Sequence, residues 1–252
     1  MSILRRAAPK HALGLAFVLL ALLTGCTAGR DFKMPSDGAL KLGETTPAEA
    51  TAMLGPAVSR SSQTSDVLQP PSTQFEVIRL LMGQSVFVSA RETGSYERLS
   101  YRFLDASGQQ LIGRFAGVRP ARTLRLLFWN GKLVEYVGIS SFQADSTNFD
   151  ETKVALIERD KSHEADVIAL FGKPTGGSSY PMISSRKGHA LIYEYVEEDM
   201  GEALRRTKFL AVYVDDQGIV REVRSSSTSN PLPPPPPSAA PVVVPVIIPR
   251  GK

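Results

Sequence analysis

Apolar and polar positions follow three rhythms along this chain. Residues 12–23 form an unbroken apolar run, ALGLAFVLLALL. Ala50, Met53 and Leu54 fall at i, i+3 and i+4, and so do Val167, Leu170 and Phe171, the spacing of one helix face. Further on the period drops to two. Leu99, Tyr101 and Phe103 alternate with Ser100 and Arg102, while Leu191, Tyr193 and Tyr195 bracket Ile192 and Glu194, as in strands. A hairpin follows each of these strands. Residues 123–129 turn at Asn130-Gly131 and return through 132–140; residues 207–214 turn at Asp215-Asp216-Gln217-Gly218 and return through 219–224. Asn-Gly tolerates the positive φ that a tight hairpin requires at both central positions. Residues 151–157 predict a further short helix, and residues 75–82 fit helix or strand equally.

The two helical segments are copies of each other. KLGETTPAEATAMLG (41–55) and ERDKSHEADVIALFG (158–172) align at an offset of 117, matching Ala48 with Ala165, Glu49 with Asp166, Ala52 with Ala169 and Gly55 with Gly172. In the first copy Thr46 is placed as N-cap, Pro47 at a position that needs no amide donor, and Glu49 three residues on completes a capping box. Gly55 and Gly172 suit a left-handed helix end, with Pro56 and Pro174 barring continuation. The expected fold is therefore α+β: two units, each of two short helices packed on a three-stranded antiparallel sheet. The first spans 41–143 with an insertion at about 62–95, and the second spans 144–224. Residues 26–40 read as a tether. Residues 225–252 hold nine of the eighteen prolines and no acid, and read as an extended, disordered, polyproline-like tail. Within it Pro241-Val-Val-Val-Pro-Val-Ile-Ile-Pro249 is apolar.

Composition redirects attention to the N-terminus. The net charge is +4, but Arg5, Arg6 and Lys10 precede Cys26 and no acid does, so the chain from Cys26 onward carries only +1. That excludes the electrostatic footprint of a nucleic-acid binder. A basic start followed by a twelve-residue apolar run is the layout of a secretory signal peptide, too short for an ordinary membrane span. The run ends in Leu23-Thr24-Gly25-Cys26, which resembles a bacterial lipobox. The resemblance implies removal of residues 1–25, diacylglyceryl transfer to the Cys26 sulfur and acylation of the new amino terminus. Thr27 stands where an Asp would mark inner-membrane retention, so the resemblance points to the outer membrane, with the body in the periplasm.

A capped Thr-x-x-Glu helix ending Leu54-Gly55-Pro56, then three strands with a terminal hairpin, all behind a lipobox, resembles the SmpA/OmlA (BamE-like) family of outer-membrane lipoproteins. The resemblance covers 41–55 with 99–140, and again 151–224, with Ser162-His163-Glu164 where the family carries Thr. Tandem units of this kind are also similar to the β-lactamase inhibitor protein architecture. What it implies is a non-enzymatic protein-interaction or scaffold component of outer-membrane assembly or integrity. Its partners would be lipid through the acyl chains and an envelope protein, the β-barrel assembly machinery being one such. The alternative is a periplasmic inhibitor or regulator of an envelope enzyme.

Little in the chain points to catalysis. One Cys and three His, at 11, 163 and 189, leave scant material for metal or triad chemistry, so no catalytic residue, metal ligand or cofactor is assigned. Trp129, Tyr136, Tyr101 and Tyr213 are the candidate partner-binding residues, as rings that serve either a free sheet face or the core; Tyr193, in phase with Leu191 and Tyr195, reads as core. Arg119, Arg122 and Arg125, with Arg205, Arg206 and Lys208, form two basic clusters at corresponding places. They read as lipid-headgroup contacts or as solvated strand edges.

Overall fold

The computed structural model describes residues 27–65, 94–105, 116–183 and 185–233. The signal segment, Leu23, Thr24, Gly25 and Cys26, residues 75–82 and the apolar stretch of the tail lie outside the described residues. Among the described residues there are nine strands: β1 (Thr27–Gly29), β2 (Ser59–Ser65), β3 (Gly94–Asp105), β4 (Ala121–Trp129), β5 (Lys132–Ser140), β6 (Gly176–Ser178), β7 (His189–Asp199), β8 (Leu204–Val214) and β9 (Val220–Pro231). The described residues also form two short α-helices, α1 (Pro47–Leu54) and α2 (Glu164–Phe171), and 3-10 turns at Gln143–Asp145 and Glu151–Leu156.

All nine strands join one antiparallel sheet in the order β1-β3-β4-β5-β6-β7-β8-β9. β1 and β2 lie end to end along the outer edge of β3, against 103–105 and 94–100 respectively. This overturns the expectation of two units, each with two helices on its own three-stranded sheet. The cause is β6. Its three residues pair with β5 on one side and β7 on the other, fusing the two halves. A Cβ on Gly176 would stand 2.4 Å from the Tyr136 carbonyl oxygen, so only glycine lets this strand slot in. Two other expectations are corrected. The supposed tether is built into the body: β1 pairs with β3, and Phe32 and Leu40 are buried in the core. The supposed tail begins later, because β9 pairs with β8 as far as Pro231.

The offset-117 repeat nevertheless carries through to the backbone amide bonds that open each helix. The Lys41 amide donates to Thr45 Oγ1 and the Glu158 amide to Ser162 Oγ, each at 2.9 Å. The Thr46 amide donates to Glu49 and the His163 amide to Asp166, each at 2.8 Å. Tyr101 donates its hydroxyl to the Gly55 carbonyl and Tyr193 donates to that of Gly172. Both glycines have positive φ, 80° and 78°, but their ψ values, −171° and −161°, are extended. They occupy the region near glycine's mirror-image β conformation rather than the left-handed helical one expected, and that region is closed to side-chain-bearing residues. The turn at Asn130 and Gly131 has positive φ at both positions, 48° and 76°, as its sequence requires.

Paired residues in an antiparallel ladder share a face, which fixes where the cores sit. Leu126 pairs with Tyr136, Tyr136 with Gly177, and Gly177 with Leu191. The cluster under α1 (Ala50, Leu99, Tyr101, Leu124, Leu126, Phe128) and the cluster under α2 (Val167, Leu191, Tyr193, Leu210, Val212) therefore lie on the same face. Both helices cover that face, and neither covers the other.

Candidate functional site

The helix-free face is built from the alternate residues of the same strands. On its upper half Tyr96, Leu127, Val134 and Met182 form one apolar cluster, and Val137, Ile183, Ala190, Ile192 and Phe209 another. Between them lies a polar centre. Glu135, from the middle of β5, is 3% exposed and Ser178 of β6 is 2% exposed; the Ser178 hydroxyl donates to Glu135 Oε2 at 3.2 Å. Burial in this low-dielectric site pushes the Glu135 carboxyl up to about 7, opposed by the neighbouring Arg125 and Arg98 charges and the Ser178 bond. Burial acts in the opposite sense on Arg98 and lowers its pKa. Arg125 of β4 reaches across the seam to Glu194 of β7, Nη2 to Oε2 at 2.7 Å, with the side chains 13% and 11% exposed.

Below that ion pair the face opens into a groove of about 640 Å³. Its floor is apolar, with Ile139, Val196 and Phe209; its polar lining includes Ser100, Arg102, Thr123, Arg125 and Thr207, and Arg119, Glu194, Glu198 and Arg205 line it as well. Arg119 is fixed in place. Its Nη1 lies 3.0 Å from Glu198 Oε2, its Nη2 donates to Met200 Sδ, and its backbone amide donates to the Glu198 carbonyl at 2.9 Å. The groove therefore offers cationic and anionic groups already held in position, over an apolar base. Each half supplies part of it.

A second cavity, of about 420 Å³, opens on the helical face between the two cores. Met34, Leu40, Leu124, Tyr136, Phe149, Phe171 and Tyr193 give it apolar walls, and Asn148, Thr175 and Lys173 are among its polar lining. Lys173 is ion-paired with Asp37 at its edge.

The residues singled out from sequence are divided between the faces. Of the basic clusters, Arg119, Arg125 and Arg205 line the groove. Arg122, Arg206 and Lys208 point the other way, because strand neighbours alternate. Arg122 bonds Asp31, Asp145 and the Phe32 carbonyl and stacks on Phe142. Arg206 pairs with Glu197, Asp199 and Glu202, and Lys208 with Glu151 at 2.5 Å. Together with Arg119 and Arg125, five of the six are neutralised by carboxylates, which removes the reading of two continuous headgroup-binding clusters. Arg205 is exposed.

The aromatic candidates are also corrected. Tyr101 is 2% exposed and belongs to the core. Tyr136 is half-buried against that core and lines the smaller cavity. Tyr213 is half-buried and donates its hydroxyl to the Lys187 carbonyl at 3.1 Å. Trp129 is half-buried, edge-on to Tyr180 with centroids 5.9 Å apart, and covers Gly94, where a Cβ would stand 2.0 Å from the indole nitrogen. That nitrogen is buried without a hydrogen-bond partner among the described residues. These rings pack the two halves, so they do not form a free aromatic surface. Tyr193, read as core, is 1% exposed.

Sequence reasoning missed Glu135, Arg98, Glu194 and Glu198. One signal was available: Glu135 is an acid inside the otherwise apolar run Leu133-Val134-Glu135-Tyr136-Val137. Among the described residues, no group of three or more His, Cys, Asp or Glu side chains is placed to hold a metal, and no helix is long and apolar enough to cross a membrane. No family model, curated protein or solved structure matches the chain.

Proposed function

We propose that this chain is a non-enzymatic envelope lipoprotein, acylated at Cys26, that receives a protein partner in the groove on the helix-free face of its sheet. The observation that carries this reading is the groove: it straddles the seam between the halves, neither helix roofs it, and two of its arginines, Arg119 and Arg125, are held by carboxylates. Fixed charges over an apolar floor lose little freedom when a partner binds and discriminate strongly between partners. The Leu23-Thr24-Gly25-Cys26 lipobox supports the anchor and the outer-membrane address. The resemblance to the SmpA/OmlA family supports a role in outer-membrane assembly or integrity.

Photo-crosslinking amino acids placed singly at Thr123, Val196 and Thr207 in the groove, and at Met53 and Ile168 on the helices, test this in intact envelopes. Met53 and Ile168 are 46% and 40% exposed, so they report general collisions. The expected result is a discrete protein adduct from the groove positions that the helix positions lack and that Arg205→Glu weakens. Adducts from the helix positions alone, or none from the groove, contradict the assignment.

A further inference from the structure

The groove on the helix-free face is not balanced in charge. Arg102, Arg119, Arg125 and Arg205 line it against two carboxylates, Glu194 and Glu198. Both carboxylates are already engaged, Glu194 by Arg125 at 2.7 Å and Glu198 by Arg119 at 3.0 Å. The surplus is Arg102 and Arg205. Both are exposed, and among the described residues no carboxylate pairs with either. Arg102 lies on β3 and Arg205 on β8, the outermost of the strands that line the groove and one from each half. The registers connect these margins to the floor: Arg102 pairs with Thr123 and Thr123 with Ile139, while Val196 pairs with Thr207 two residues along from the Glu198–Arg205 pair. Ile139 and Val196 are only half-buried, so the fold leaves part of that apolar floor uncovered.

From this pattern we infer that the occupant of the groove is an acidic peptide segment of the partner, with carboxylates set against Arg102 and Arg205 and an apolar side chain on the floor between them. The inference rests on the reading of the groove as a partner site and adds the sign and chemistry of what enters it. A guanidinium presents a planar fork of donors that matches a carboxylate. Free cations at the margins also draw an acidic segment in and turn a basic one away. A peptide suits the arrangement better than an anionic lipid surface does. The free cations flank a recess instead of capping a protruding face, and a single chain serves both margins and the floor at once.

The test offers a random dodecapeptide library, displayed on phage, to the full lipidated chain in detergent micelles and to its Arg102→Glu/Arg205→Glu variant. Both arginines are exposed and lack internal partners, so this double reversal should melt with the parent. Arg102→Gln/Arg205→Gln, which removes the charges without reversing them, is read beside it. Peptides enriched on the parent should be acidic and carry an apolar residue, should weaken at least about tenfold on the double reversal and less on the Gln variant, and should lose affinity as salt rises. The double reversal should enrich basic peptides instead. Neutral or basic peptides enriched on the parent, acidic peptides that bind the double reversal equally well, or no enrichment at all overturns the inference. Short-chain phosphatidylglycerol that binds the parent and not the double reversal, with no acidic peptide enriched, assigns the two arginines to lipid and overturns it as well. Failure of the groove itself reads differently. Envelope adducts at Thr123 and Val196 that persist in the double reversal overturn the acidic segment and leave the partner site standing, whereas their absence from the parent removes the site and the inference together.

Discussion

Glu135 shows what a single residue in the wrong rhythm does. Its strand needs an apolar side chain facing β6 and instead carries a carboxyl, sealed among Arg125, Arg98 and Ser178. A carboxyl whose pKa rises from 4.5 to about 7 on folding binds a proton in the folded state that the unfolded chain has already released. Its contribution is complete below about pH 4.5 and is lost as pH rises through 7, by up to about 3 kcal/mol. Urea titrations at pH 5 and pH 8 on the parent and Glu135→Gln check this: the parent should lose more stability between the two pH values, and the Gln variant should lose less. Gly172 makes a second residue-scale case. Nothing lies within 4 Å of a Cβ built there, so Gly172→Val meets only the backbone cost of its φ of 78°, about 1 to 3 kcal/mol. At Gly55 the added carbon also meets the Arg30 guanidinium at 2.8 Å, a side chain free to swing away. The two Val variants should therefore lose similar stability by denaturant titration.

Elements are where the sequence was most legible, and where it stopped being so. Capping residues, the Asn-Gly turn and alternating strands are local, so α1, α2 and the β4–β5 and β8–β9 hairpins could be read from spacing alone. The fused sheet could not, because β6 is only Gly176-Gly177-Ser178, too short for a period and depleted of strand-forming residues. β1 and the late part of β9, Ser225 to Pro231, likewise carry a loop's composition and are held by the ladders beside them. The Tyr–Gly bond that ties each helix end to the sheet is an element-scale device repeated in both halves. Tyr193→Phe leaves the Gly172 carbonyl without its 2.9 Å donor and should cost about 1 kcal/mol. Tyr101→Phe removes a 3.3 Å bond and should cost less. Thermal unfolding of both variants ranks them.

At the scale of the molecule, the seam between the halves determines both stability and the shape of the groove. Arg125 and Glu194 are brought together from residues 69 apart in sequence, a contact that local spacing does not reveal. The basic clusters were legible as composition but not as surface, since strand alternation within β4 sends Arg125 to one face and Arg122 to the other. Removing one member of the Arg125–Glu194 pair strands a nearly buried charge, so Arg125→Met or Glu194→Gln should each cost about 3 to 5 kcal/mol, while the double variant should recover part of that loss. A double variant as unstable as the sum of the singles would place the stability of the seam elsewhere.

The anchor and the envelope address proposed for the molecule depend on the residue just before β1. Radiolabelled palmitate incorporation into the parent chain and Cys26→Ser, read with electrophoretic mobility, tests that dependence most directly. The account predicts label and a processed, faster-migrating band for the parent, and an unlabelled, slower precursor for the variant. Label on Cys26→Ser, or an unlabelled parent that matures normally, would contradict it.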